Sequence, residues 1–88
     1  MTKPLHVINW QGKEYRIPFD VNLNLDAKDK LIDVPNMYSG VTASLPWFAV
    51  AVFDLIIGSE QLEDYDTMQK GLSWFRKYFP NEYMTILD

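Results

Sequence analysis

His6 is the only histidine in 88 residues and cysteine is absent, so the side chains most used as metal ligands and nucleophiles are nearly missing. A zinc site takes three or four ligands, and one histidine beside a strand-like run, without a spaced carboxylate partner, does not supply them. Glu60, Glu63, Asp64 and Asp66 crowd one short segment, but the spacing and glycine of an EF-hand loop are missing there. Acids at the start of a helix complement its dipole, which explains the cluster without a metal. The same four carboxylates would also steer a basic partner. Asp54 stands among apolar neighbours, where burial raises a carboxyl pKa, yet it has no nearby partner for acid–base work. No Gly-rich phosphate loop, nucleophile elbow or His-Glu zinc motif occurs. The expectation is a protein that is not an enzyme, with no catalytic residues, no metal, no cofactor and no small-molecule substrate.

The elements that would hold these groups begin with His6–Trp10, Gln11-Gly12-Lys13 and Glu14–Phe19, which read as a β-hairpin. Tyr15, Ile17 and Phe19 alternate with Glu14, Arg16 and Pro18, the period of a half-buried strand, and Gly12 suits the positive φ of a tight turn. Pro18 cannot donate to a ladder, so that edge is expected to face water. Val21–Leu25 alternates again and permits a further strand. Asp26–Pro35 permits a helical turn or a short strand, and Asn36–Ser44 reads as a loop. Ser44 is placed to cap a helix that accepts Pro46 in its first turn and closes at Gly58. A second short helix is expected over Glu60–Tyr65, capped by Ser59. A third starts at Asp66, with Gln69 completing a capping-box spacing, and ends near Phe79 before Pro80. Its stripe is Met68, Leu72, Phe75 and Phe79, with Trp74 and Tyr78 offset from it. The tail, Asn81–Asp88, reads as a last strand or a frayed end. Strands first and helices after make an α+β fold, one domain over residues 1–88.

Apolar residues are 48% and charged residues 23% of the chain, ordinary values for a folded domain. Aromatics reach 15%, a supply that serves a small core or an interface. The net charge of −4 argues against nucleic acid, whose binders carry a basic face. Arg76-Lys77 is the only adjacent basic pair near aromatics. The lack of cysteine and of an apolar leader at Met1–His6 points to the cytoplasm. Leu45–Ile57 is too short to span a bilayer, which takes roughly 20 residues.

Leu45–Gly58 holds a single charge, Asp54, in 14 residues. On a helix, Trp47, Ala51 and Asp54 share one side, Phe48, Val52 and Leu55 a second, and Ala49, Phe53 and Ile56 a third, leaving Val50 and Ile57. A helix apolar all round belongs at the centre of a core, and a chain this short offers few elements to surround it. The hairpin covers one side and the last helix another. Two outcomes are open: the N-terminal strands wrap far enough to bury the helix within one chain, or, the favoured expectation, a further side stays bare and is covered by a partner protein or a second copy.

"AVFDLIIGSEQLEDYDTM", Ala51 to Met68, is similar to a hydrophobic helix, Gly-polar-Glu-Gln step and acidic-aromatic turn in the small tail assembly chaperones of long-tailed bacteriophages. "INWQGKEYRIPFDV", Ile8 to Val21, resembles the strand pair with which many of them begin. The two segments cover under half of the chain, and Asn22–Ser44 lies outside the resemblance. The resemblance implies a non-enzymatic protein of the host cytoplasm. It would bind the aggregation-prone tape-measure protein until tail-tube subunits polymerise around it. The interface residues it implies are Trp47, Val50, Phe53, Asp54 and Gln61, with Trp74 and Tyr78 from the last helix. Glu60, Glu63, Asp64 and Asp66 would keep the assembly soluble. Two other readings stay open. One is a small acidic inhibitor or immunity-type protein, with those four acids steering it to a nucleic-acid-handling enzyme. The other is a minor particle subunit whose hairpin edge adds to a neighbour's sheet.

Overall fold

The computed structural model describes residues 6–23, 25–36 and 38–87. Two antiparallel hairpins are followed by helices, the α+β order that the sequence indicates. β1 (His6–Trp10) pairs with β2 (Lys13–Ile17) around Gln11-Gly12. Both turn residues have positive φ, 50° and 80°, as a two-residue hairpin with the right-handed strand twist requires. Val21–Leu23 form no strand, and Leu25–Ala27 forms a single 3-10 turn. Asp26–Pro35 therefore holds both forms that its sequence permits, since β3 (Leu31–Pro35) comes next.

Of the expected loop over Asn36–Ser44, the last three residues are instead strand, because β4 (Thr42–Pro46) pairs with β3 from Leu31↔Pro46 to Pro35↔Thr42, and the described residues before them form the connecting turn. Ser44 is not a helix cap. It faces Asp33 across this ladder and its hydroxyl donates to Asp33 Oδ1 at 2.7 Å. Asn36 anchors the hairpin's end: its Oδ1 accepts from the Tyr38 and Ser39 amides, and its Nδ2 donates to the Thr85 carbonyl at 2.9 Å.

α1 (Trp47–Gln61) starts without a side-chain cap; the Trp47 amide donates to the Lys30 carbonyl at 3.1 Å instead. The helix runs through Gly58 and Ser59, so neither ends it nor caps another. It ends at Gln61, and the left-handed conformation expected of Gly58 is taken five residues later by Glu63, with φ 57°. The Glu63 amide donates to Glu60 O and the Asp64 amide to Ser59 O, the paired bonds of a Schellman end. The short helix expected over Glu60–Tyr65 does not form. α2 (Tyr65–Tyr78) is capped by Asp64 rather than Asp66, with Asp64 accepting from the Thr67 amide and hydroxyl. Pro80 opens α3 (Pro80–Ile86), so the tail is helical up to Ile86.

The core sits around α1. Phe48 is fully buried, its ring against those of Trp10, Tyr15, Trp47, Trp74 and Phe79, and Tyr15 stacks on Phe79 at 5.4 Å. α2 packs on α1, while β3 and β4 touch α1 and α3 closes on β4 and α2. The approach of α2 depends on Gly71: a Cβ there would lie 2.6 Å from Ile56 Cγ1. Each large apolar side chain enclosed this way contributes about 1.5–3 kcal/mol relative to exposure.

Candidate functional site

The bare face expected on α1 does not exist. Trp47, Phe48, Ala49, Ala51, Val52, Phe53 and Ile56 are buried within one chain, and Val50, Leu55 and Ile57 are half-buried. β3 and β4 pack on α1 and supply cover that the sequence pattern hides, and α3 backs them by closing on β4 and α2. Of the anticipated interface residues, Trp47, Phe53 and Trp74 lie in the core, Val50 and Tyr78 are half-buried, and Asp54 and Gln61 are exposed.

Trp74 and Tyr78 have a structural task instead. Trp74 Nε1 donates to the Arg16 carbonyl at 2.8 Å, and the Arg16 amide donates to the Tyr78 hydroxyl at 3.4 Å. The outer edge of β2 is thus closed by α2 at Arg16, and does not face water there as Pro18 suggests. This fixes the parity of the hairpin. Arg16 points its main-chain groups away from β1, so the facing Val7, and Asn9 two residues on, point theirs away from β2. Among the described residues no backbone bond other than those to β2 reaches this β1 edge.

The acidic segment is the most exposed stretch of the helical half. Glu60, Glu63, Asp64 and Asp66 all reach solvent at the α1–α2 turn. Two apolar side chains stand out among them: Leu62 is 82% exposed and Tyr65 57%. They were missed as candidates, although a leucine and a tyrosine inside the acid run "EQLEDYD" were the available signal. The Thr67 hydroxyl and amide hold the Asp64 carboxyl below its ordinary pKa.

A groove of about 660 Å³ adjoins this turn, with Asp20, Asp54 and Asp64 on its walls. Partial burial among apolar neighbours pushes the Asp54 carboxyl up. A second depression shares Asn22 and Asp54 with the first and adds Asp26. A third, of about 530 Å³, runs along His6–Asn9 and shares Leu23 and Leu25 with the second. Trp47 lines it too, and Trp47 Nε1 and His6 Nε2 are buried atoms without a hydrogen-bond partner among the described residues. Among the described residues no group of three or more His, Cys, Asp or Glu side chains is placed to hold a metal ion. No helix among them is long and apolar enough to cross a membrane.

Comparison with protein-family models, with curated proteins and with solved structures finds no match for this chain.

Proposed function

We propose that this chain is a non-enzymatic protein-binding domain of the tail-assembly-chaperone kind, and that it engages a phage tape-measure protein through its α1–α2 turn. The observation that carries the reading is the exposure of Leu62 and Tyr65 within a ring of four carboxylates. Both side chains belong to the Ala51–Met68 segment on which the resemblance rests. Covering one such side chain contributes about 1.5–3 kcal/mol, and tyrosine is among the residues that dominate interfaces. The acids around them keep the free protein and its complex dispersed. In this reading the protein acts in the host cytoplasm and α1 is its scaffold, with the turn as its contact surface.

Co-expression with the tape-measure protein encoded nearest its gene tests this. The expected result is a soluble complex with the parent chain and a precipitate with the Leu62→Ser/Tyr65→Ser variant. A tape-measure protein that precipitates equally with either chain overturns the reading.

The four exposed carboxylates favour a second reading, a small inhibitor that blocks a basic, nucleic-acid-handling enzyme with the same turn. Its mark is tight 1:1 binding that weakens steeply with salt. Self-association of the free chain is a separate proposal, checked by size-exclusion chromatography with light scattering over a range of concentrations.

A further inference from the structure

Three depressions on this molecule share lining residues in sequence. The one beside β1 shares Leu23 and Leu25 with the middle one, which shares Asn22 and Asp54 with the one beside the α1–α2 turn. They adjoin through these residues, as the parts of one trough would, and the two ends of the run differ in chemistry. At the β1 end the wall is an open strand edge, where the main-chain groups of Val7 and Asn9 face outward with no backbone partner among the described residues. An edge of this kind accepts another strand unless charge, proline or a bulge prevents it. His6–Trp10 contains neither a charged residue nor a proline, whereas β2 carries Lys13, Glu14 and Arg16, β3 carries Asp33 and Pro35, and β4 ends in Pro46. Trp47, 6% exposed, lines this end, and among the described residues its indole N–H meets no acceptor.

At the other end Asp20, Asp54 and Asp64 line the wall, and among the described lining residues there is no lysine or arginine. These carboxylates are too dispersed to close on one metal ion. Spread along a trough, they suit several cationic side chains of an extended chain. Only at the β1 end do Lys28 and Asp29 appear, and their charges cancel.

We infer that the trough binds an extended, lysine- or arginine-rich segment of a partner protein. The segment adds as a strand to the β1 edge and runs its basic residues past Asp54, Asp20 and Asp64. Main-chain hydrogen bonds at Val7 and Asn9 hold the strand, and the carboxylates select its charge. A second copy of this chain is the poorer occupant, because each copy carries net charge −4 and brings no basic stretch to the acid end. The inference goes beyond turn-mediated binding and uses a different surface.

The test is fluorescence anisotropy of the full chain with a labelled peptide of alternating valine and lysine. A valine–glutamate peptide and a valine–lysine peptide N-methylated at alternate residues are the controls. The valine–lysine peptide is expected to bind, and its affinity to fall about tenfold from low to high salt. Neither control should bind. The Asp20→Asn/Asp54→Asn variant should weaken binding about tenfold, while the charge-matched Asp33→Asn/Glu82→Gln variant should not. The peptide should also slow hydrogen exchange at the Val7 and Asn9 amides. Tyr65→Ser should leave peptide binding intact, which separates this result from the fate of the turn. Equal binding of the glutamate peptide, or exchange at Val7 and Asn9 unchanged by the bound peptide, overturns the inference. So does concentration-dependent protection of those amides in the free chain, since a second copy would then hold the edge.

Discussion

Trp47–Ile57 and Glu60–Asp66 are neighbours along the chain and meet water in opposite ways. The first stretch is apolar on nearly every side and is enclosed by its own molecule; the second is acidic and presents Leu62 and Tyr65 to solvent. Apolar density in sequence marks the centre of the packing here. The candidate contact surface falls where two apolar residues interrupt a charged run. An all-round hydrophobic helix in a small protein is therefore weak support for a partner, because short elements wrapped around it cover more than their length suggests. Substitutions in the two stretches should separate cleanly, with α1 and its lining moving stability and the turn moving binding.

The largest effect belongs to Phe48, which is fully buried among other rings. Phe48→Ala is expected to cost about 3–5 kcal/mol in urea unfolding, a large share of the stability of a domain this size. A loss under about 1 kcal/mol would mean that the site is not enclosed and would break the comparison.

Trp74→Phe comes next. It keeps an aromatic ring and removes the N–H that meets the Arg16 carbonyl at 2.8 Å. Leaving that group without its donor is expected to cost about 1–3 kcal/mol. Faster hydrogen exchange at the Arg16 amide, which faces Tyr78 beside it, would show that the β2 edge had opened.

What the sequence revealed and what it hid follow from the same physics. The first hairpin was legible because Tyr15, Ile17 and Phe19 alternate with polar residues around Gly12. The second was hidden because Thr42, Ala43 and Ser44 carry too little apolar contrast to mark a strand, and because prolines stand at its ends. α3 was hidden for want of length, being 7 residues. β3 and β4 are the elements that complete the enclosure of α1, with α3 behind β4, so the bare face vanishes for the same reason that the hairpin is hard to read. Gly58 misled for another reason: a lone glycine inside a helix costs only about 1 kcal/mol against alanine. The left-handed position went to Glu63, a residue that nothing in its type would nominate. Of the candidate site, the acids were legible from composition, whereas the exposure of Leu62 and Tyr65 depends on where α1 stops.

Glu63 provides the third prediction. Its positive φ is unfavourable for a side chain with a Cβ, and Glu63→Gly should stabilise the fold by about 1 kcal/mol. If the turn is a contact surface, the same change should weaken partner binding by removing a charge and loosening the loop. A variant stabilised without loss of binding would leave the strain at Glu63 unrelated to recognition.

Asp54 should show a smaller, pH-dependent effect. Desolvation raises its carboxyl pKa in the folded chain, so the folded state holds the proton more tightly than the unfolded one. The stability tied to the protonated form is whole below the ordinary carboxylate value and is lost as pH rises through the raised one. Asp54→Asn removes that loss. Its stability relative to the parent should therefore grow with pH across this window and stay level above it, as urea midpoints at several pH values would record. Asp64 works in the other sense. Its pKa is lowered by the bonds from Thr67, so its contribution is present above the ordinary carboxylate value and fades as acid protonates it.

The smallest effect on stability is expected where the functional reading is most exposed to test. Leu62 and Tyr65 add little to the core, so Leu62→Ser and Tyr65→Ser should each shift unfolding by no more than about 0.5 kcal/mol. The backbone of the turn does not depend on these side chains, since its bonds run between main-chain groups of Gly58, Ser59, Glu60, Leu62, Glu63 and Asp64. A lost partner in either variant would then reflect the lost surface alone, because the shape that presents it persists. If Phe48→Ala were instead tolerated while Leu62→Ser unfolded the protein, the assignment of scaffold to α1 and contact to the turn would be reversed. A urea series on these variants beside the co-expression assay decides between the two assignments.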